Sequence, residues 1–248
     1  VATIKGLTLW LDAARGNSET SLVNASDATD IENEDEIKTW IDANPTTPTN
    51  ISFGAPTSAD YPTYLQYGLN GLPTISFDGD SDRLLASIQL GELLSGEEGT
   101  IFIVSTPRSF SGGTKTMGIY GSPSRVDLMI DSTVSFSWRD SVTYTATAVP
   151  DPSLEGKSNI ASLRRKKTGR MDVKVDGVAL GTAITNADSI LDLSETVTFS
   201  LGWNAVGTTL SPEVDISEVI IYNRGLSDDE RKEVESYLSQ KWLITLLQ

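Results

Sequence analysis

Three acidic residues near the C-terminal end of the sequence have the side-chain type that acid–base chemistry on a glycosidic bond requires. They are Glu213, Asp215 and Glu218, in the segment Glu-Val-Asp-Ile-Ser-Glu. Enzymes that cleave such bonds use two carboxyl groups, one as the acid and one as the nucleophile or base. In a regular β-strand, Glu213 and Asp215 would share one face and Glu218 would point to the other, so only a β-bulge could bring all three together. The segment predicts either a catalytic carboxylate pair or a structural strand with an acidic beginning.

A second group of acidic residues alternates through a predicted turn. Asp78, Asp80 and Asp82 occupy every second position of the segment Asp-Gly-Asp-Ser-Asp, and carboxylate oxygens are the ligands that Ca²⁺ prefers. The same composition is typical of a turn in which an aspartate side chain accepts hydrogen bonds from the backbone. The segment is therefore a candidate calcium site, and a turn without a metal is the alternative.

Two aromatic residues are candidates for sugar binding. Trp138 and Tyr144 lie in neighbouring segments that alternate like β-strands, and an exposed aromatic ring on a sheet can stack on a pyranose ring. Buried aromatic rings contribute instead to a hydrophobic core. Both roles remain open at the level of the sequence.

The one basic cluster of the sequence is Arg164-Arg-Lys-Lys167, together with Arg170. The pair Thr168-Gly169 predicts a bend, so the cluster is expected at the tip of a hairpin between two strands. Contact with an anionic glycan or with a protein is the alternative role.

The composition excludes several classes of function. The 248 residues include neither cysteine nor histidine, which excludes thiol nucleophiles, zinc sites of cysteine and histidine, and imidazole acid–base chemistry. The formal net charge of −15 argues against nucleic acid and anionic membrane surfaces as partners. Membrane insertion is not expected, because the sequence lacks an apolar run of about 18 residues. Residues 1–248 are interpreted as one domain, since no linker rich in proline and glycine divides them.

The elements that would position these residues are mostly β-strands. About a dozen short segments, from Leu7–Leu11 to Val214–Tyr222, alternate between apolar and polar residues and are separated by turn residues. The pair Asp176-Gly177 between two of them predicts a tight hairpin, because it supplies the positive φ angles that such turns require. Two antiparallel sheets packed face to face are the architecture that this pattern favours.

A single amphipathic helix is predicted after the last strand. Ser227 and Glu230 have the spacing of a capping box at its start. Val234, Leu238 and Trp242 follow at intervals of four residues and form one apolar stripe. The fold class predicted is therefore all-β, an antiparallel sandwich with a short C-terminal α-helix.

Several of these segments, in this order, resemble the concanavalin A-like, laminin-G-type jelly-roll domains of bacterial secreted and surface proteins. The resemblance covers most of the chain and implies a jelly-roll scaffold. The segments that carry it are Leu7–Ala13, Ile37–Asp42, Tyr61–Tyr64, Asn70–Leu84, Thr100–Val104, Val173–Gly177 and Ile216–Trp242.

The acidic segment also matches the E-x-D-x-x-E pattern of the family-16 glycoside hydrolases, which share the jelly-roll scaffold. That resemblance implies Glu213 and Glu218 as the nucleophile and the general acid/base. The motif lies in the middle of those enzymes, with several cleft-forming strands after it, whereas here about one helix follows.

We therefore predict a non-catalytic recognition or adhesion module of an extracellular, cell-surface or virion protein. It would bind a glycan or a protein, with calcium at Asp78, Asp80 and Asp82 as a candidate cofactor. The first alternative is a structural subunit or head domain of an extracellular filament or particle, which would self-assemble. The second is a glycoside hydrolase that uses Glu213 and Glu218.

Overall fold

The computed structural model describes most of the chain, and of the side chains within residues 117–150 it describes Val126 and Trp138. The described residues are 3–15, 22–26, 30–44, 51–109, 117–120, 125–129, 133–139, 143–150, 154–184, 190–202 and 213–247. In these ranges the chain forms two antiparallel β-sheets and a C-terminal helix. The predicted β-sandwich with a short C-terminal α-helix is confirmed.

The strands follow one another along the chain, with the main helix at the end. They are β1 (Leu7–Asp12), β2 (Leu22–Asn24), β3 (Ile37–Ile41), β4 (Ser52–Gly54), β5 (Thr63–Leu69), β6 (Leu72–Asp78), β7 (Leu84–Gln89), β8 (Gly99–Ser109), β9 (Met117–Tyr120), β10 (Arg125–Met129), β11 (Thr133–Arg139), β12 (Thr143–Pro150), β13 (Asn159–Arg165), β14 (Met171–Val175), β15 (Val178–Ile184), β16 (Thr196–Leu201) and β17 (Glu213–Tyr222). The helices are the single turn α1 (Leu90–Leu93) and α2 (Asp228–Trp242).

The sheet that carries the candidate catalytic segment has eight strands. Seven of them are ordered β15-β14-β13-β8-β17-β6-β5, and β1 also pairs with β17. Strand β17 is central: β8 lies along one side, while β6 and then β1 follow each other along the other side. The second sheet has nine strands in the order β12-β11-β10-β9-β16-β7-β4-β3-β2.

The eight-stranded sheet has a hydrophobic layer on each face. Its inner face packs against the other sheet, with Leu9, Phe77 and Val219 among the fully buried residues of that core. Its outer face is covered by α2, whose Val234, Leu238 and Trp242 have no exposed surface. The predicted apolar stripe of the helix is thus confirmed, and the helix docks on the face of a sheet.

Local hydrogen bonds fix both ends of α2. The Ser227 hydroxyl accepts from the Glu230 backbone N–H at 3.2 Å, and the Glu230 carboxylate accepts from the Ser227 N–H at 2.9 Å, which confirms the predicted capping box. At the other end, Leu243 adopts a left-handed conformation with φ of 53° and terminates the helix. No helix in the described ranges has both the length and the apolar character that crossing a membrane requires.

Candidate functional site

A β-bulge in β17 places the three candidate catalytic carboxylates on one face of the sheet. Val214 and Ile216 point into the core between the sheets, and so does Val219. The pairing of β17 with β8 shifts its register between Ile216 and Glu218, so the alternation is reset there. Glu218 consequently lies on the outer face, the same face as Glu213 and Asp215.

Glu218 lies beneath α2 and is fully occupied by hydrogen bonds. It has no exposed surface. Its Oε1 accepts from Trp10 Nε1 at 2.6 Å and from Tyr237 Oη at 3.2 Å. Its Oε2 accepts from Lys241 Nζ at 2.8 Å and from Trp242 Nε1 at 2.6 Å. We call these five residues the Glu218 network.

Asp12 and Arg15 extend the Glu218 network, so that it contains two carboxylates and two cations. Lys241 Nζ also lies 2.6 Å from Asp12 Oδ2, and Arg15 Nε lies 3.4 Å from the same oxygen. Burial raises the pKa of Glu218, and the ion pair with Lys241 opposes that shift. Because the donors come from β1 and α2, while Glu218 belongs to β17, the network fastens the helix to the sheet. A sugar could not reach Glu218 in this arrangement.

The other two carboxylates of the segment have separate surroundings. Asp215 Oδ1 lies 3.0 Å from Arg108 Nε on the neighbouring strand β8, and burial raises the pKa of Asp215. Glu213 is half-buried beside Gly79. The sheet thus brings the three residues of the motif to one face, but it commits Asp215 and Glu218 to ion pairs.

The aspartates of the candidate calcium site form a closed turn. Asp78 Oδ1 accepts from the backbone N–H groups of Asp80, Ser81 and Asp82 at 2.8, 3.1 and 3.2 Å. Asp82 Oδ2 in turn accepts from the Asp78 N–H at 2.9 Å. Over the described part of the chain, no three or more acidic side chains come together as a metal-binding group. The carboxylates of Asp78 and Asp82 therefore accept hydrogen bonds from the turn in this conformation.

The two aspartates that face each other across this turn have pKa values shifted in opposite directions. Burial tends to raise the pKa of Asp78, but the backbone hydrogen bonds to its carboxylate outweigh burial and lower it. Burial and then the Asp78 charge raise the pKa of Asp82 to about 7. Asp82 therefore changes its protonation near neutral pH.

Trp138 belongs to the core. It has no exposed surface, and the guanidinium of Arg165 lies 5.2 Å from the centre of its ring. Position 99 is a glycine where a Cβ atom would approach the Trp138 ring to 3.0 Å. No face of this indole is open to a sugar. Tyr144 pairs with Trp138 in the register of β11 and β12, and its side chain lies outside the described part of the chain.

The basic cluster lies where the sequence predicts it, in the hairpin between β13 and β14. Gly169 has a φ of 77° in the turn. Arg164 and Arg165 are nevertheless buried, on opposite faces of the sheet: Arg164 reaches Asp228 of α2, and Arg165 reaches the Trp138 ring. Only the residues of the turn itself remain available to solvent or a ligand.

Sequence reasoning misses a buried ion cluster under the first half of α2. Arg231 has no exposed surface and is paired with Asp172 of β14. Its Nη2 donates to the Ser162 carbonyl at 2.6 Å, and its Nε lies 3.3 Å from Glu235. The signal is present in the sequence, since Arg231 and Glu235 are spaced to lie on the same helical stripe as Leu238.

Comparison with solved structures finds similarity in the fold. No family model matches the chain, and no curated protein matches it significantly. Among solved structures, the binding domain of botulinum neurotoxin serotype G superposes with a TM-score of 0.65 at 10% identity, over 94% of this chain and 51% of that domain. The chain thus spans about half of the neurotoxin binding domains that it matches.

Two further structures come from carbohydrate-active enzymes. Domain 4 of AbnA, a GH43 extracellular arabinanase from Geobacillus stearothermophilus solved with arabinotriose, matches with a TM-score of 0.56 at 15% identity, over 92% of this chain and 98% of that one. Trypanosoma rangeli sialidase in complex with 2,3-difluorosialic acid matches with a TM-score of 0.58 at 14% identity, over 97% of this chain and 34% of the enzyme. At identities this low, these superpositions show a shared β-sandwich fold and nothing further.

Proposed function

We propose that the chain is a non-catalytic recognition module of an extracellular, cell-surface or virion protein, with a glycan or a protein as its ligand. The observation that carries the proposal is the state of Glu218, which is buried, covered by α2 and bonded through both oxygens. A catalytic carboxylate has to come within hydrogen-bonding distance of its substrate. Glu218 is therefore assigned to stability.

The similarity to other structures supports a binding role. Three of the similar structures are named as binding domains of botulinum neurotoxins, and another is an arabinanase domain solved with arabinotriose. The arabinanase is named as extracellular, which supports an extracellular location. A shared fold does not by itself carry a function, so the ligand has to be found by experiment.

A glycan array combined with a hydrolysis assay tests the proposal. We expect the full chain to bind at least one oligosaccharide and to release no reducing sugar from β-glucans. Release that is abolished in Glu213→Gln would refute the non-catalytic assignment. Absence of binding to glycans, together with ordered assembly seen by light scattering and electron microscopy, would favour a structural subunit instead.

A further inference from the structure

A groove of about 500 Å³ lies between the beginning of α2 and the outer face of strands β13–β15. Basic side chains from three parts of the chain meet in it. Arg164, Lys166 and Arg170 come from the β13–β14 hairpin, Lys174 comes from β14, and Lys232 comes from α2. We call this surface the basic groove.

The acidic side chains of the basic groove are already paired. Asp172 contacts Arg164 at 3.0 Å and is also bound by Arg231 from below. Asp228 lies 2.5 Å from Arg164 and 3.9 Å from Lys166. The carboxylates of the basic groove thus have cationic partners within the protein and do not need a ligand for charge balance.

The buried layer beneath the groove adds one further carboxylate. Glu235 lies 3.3 Å from Arg231 and 3.8 Å from Lys174. The groove and this layer together contain six cations and three carboxylates: Arg164, Lys166, Arg170, Lys174, Arg231 and Lys232 against Asp172, Asp228 and Glu235. The local charge is therefore +3, in a protein whose net charge is −15. A concave surface that reverses the sign of the whole molecule attracts anions.

The most accessible cations stand at the rim of the basic groove. The Arg170 side chain is 53% exposed, and Lys232 is exposed on the solvent side of α2. Lys232 can thus approach a ligand, and so can the exposed guanidinium of Arg170, although its Nε also lies 3.6 Å from Asp172 Oδ2. Arg164, in contrast, is buried and held by its bonds to Asp172 and Asp228. Small residues, among them Ala179, Gly181 and Ala183, line the part of the groove formed by β15, so no large side chain fills it.

The size and position of the basic groove favour a compact ligand over an extended peptide. About 500 Å³ falls within the range of roughly 300–1,000 Å³ that is common for small-ligand sites. Strand β15 is the edge of its sheet, but the groove lies between that strand and α2, whereas an acidic peptide added as a further strand would pair along the outer edge of β15. A guanidinium and several ammonium groups around such a space suit a carboxylate or a sulfate.

We propose that the basic groove binds an acidic sugar residue, one that carries a carboxylate or a sulfate group, at the end or within a glycan. This inference rests on the proposed function, since it names the ligand class of a glycan-binding module. Arg170 and Lys232 would contact the anionic group from opposite sides of the groove, because one belongs to the hairpin and the other to the helix.

Binding of defined oligosaccharides to the full chain tests the inference by titration calorimetry. The probes are sialyllactose for a carboxylate, a heparin-derived tetrasaccharide for sulfate, and lactose as the neutral counterpart. The variant Arg170→Gln/Lys232→Gln removes two exposed charges. Lys167→Gln is the matched control, because Lys167 lies in the same hairpin but faces Glu97 at 3.6 Å, outside the groove.

We expect one of the acidic probes to bind at least tenfold more tightly than lactose, with an affinity that falls as salt is raised. The double variant should weaken that binding about tenfold, and Lys167→Gln should leave it unchanged. Tighter binding of sialyllactose would indicate a site for a carboxylate, and tighter binding of the heparin tetrasaccharide would indicate a site for a sulfate.

Three outcomes would overturn the inference. In the first, neutral glycans bind and the double variant has no effect, which excludes the basic groove as the binding site but still supports a glycan-binding module. In the second, oligoglutamate binds more tightly than any acidic sugar, which makes the groove a protein-binding surface. In the third, neither acidic nor neutral glycans bind, which also excludes a glycan as the ligand in the proposed function.

Discussion

Replacement of Glu218 by glutamine tests whether this carboxylate stabilises the docking of α2 on the sheet or acts on a substrate. The wild-type carboxylate accepts four hydrogen bonds, two at each oxygen. A glutamine side chain offers one oxygen and one NH₂ group. Whichever way the amide is turned, its NH₂ group faces either Trp10 and Tyr237 or Lys241 and Trp242, all of which are donors.

The expected cost follows from these contacts. Loss of a hydrogen bond to a charged group costs about 1.5–3 kcal/mol, and a buried donor without an acceptor costs about 1–3 kcal/mol more. We therefore expect Glu218→Gln to lower the free energy of unfolding by about 3–5 kcal/mol, as is typical when one partner of a buried ion pair is removed. At roughly 2–4 °C per kcal/mol for a chain of this size, the melting temperature should fall by roughly 6–20 °C.

Thermal and urea denaturation at pH 7, followed by circular dichroism, measure this change. The control is Glu213→Gln, because Glu213 is half-buried and lies outside the Glu218 network; we expect it to stay within about 0.5 kcal/mol of the wild type. A Glu218→Gln variant as stable as the wild type, or more stable, would refute the structural role. That result is the one expected of a catalytic carboxylate, since active-site charges often reduce stability.

Three further variants or additions test other parts of the structure. Because the pKa of Asp82 is raised to about 7 from an ordinary value of 3.8, the folded state binds more protons than the unfolded chain between about pH 4 and 7, and stability should fall as the pH rises through that window. Asp82→Asn should remove this dependence and raise the free energy of unfolding at pH 8 by up to about 4 kcal/mol. The control Asp80→Asn, at an exposed position, should not. Parallel pH profiles of stability for Asp82→Asn and the wild type would contradict this reasoning. Arg231→Met should lower the free energy of unfolding in urea by about 3–5 kcal/mol, since it leaves the buried Asp172 without one of its cations; a loss below about 1 kcal/mol would mean that Arg164 and Arg170 are sufficient to neutralise Asp172. Since Asp78 already accepts three backbone hydrogen bonds, millimolar Ca²⁺ or EDTA should leave the melting temperature unchanged, and a rise with Ca²⁺ would show a stabilising metal site.

The sequence predicts best the features that depend on neighbouring residues. The capping box of Ser227 and Glu230 is confirmed, as is the hairpin at Asp176-Gly177, where φ is 49° and 83°. These structures are determined within a few residues. By the same logic, Asn70-Gly71 has the φ angles of a two-residue hairpin turn, 51° and 81°, so the sequence also carries a local signal for the pairing of β5 with β6.

Features that depend on distant parts of the chain could not be predicted. The bulge at Glu218 is set by the pairing of β17 with β8, and the burial of Trp138 depends on Gly99 and Arg165 from other strands. The basic groove is a similar case, because Lys232 joins the hairpin only when α2 docks on the sheet. Composition and periodicity give no information on which elements become neighbours.

The central position of β17 has a consequence for biosynthesis. During translation, this strand is synthesised after the seven other strands of its sheet, and α2 follows it. Until then β8 has no neighbour on one side, and the aromatic and aliphatic residues that α2 later covers are open to water. We infer that the nascent chain can complete its fold only after β17 and α2 have left the ribosome. Prematurely terminated products would expose strand edges, which are sites of aggregation.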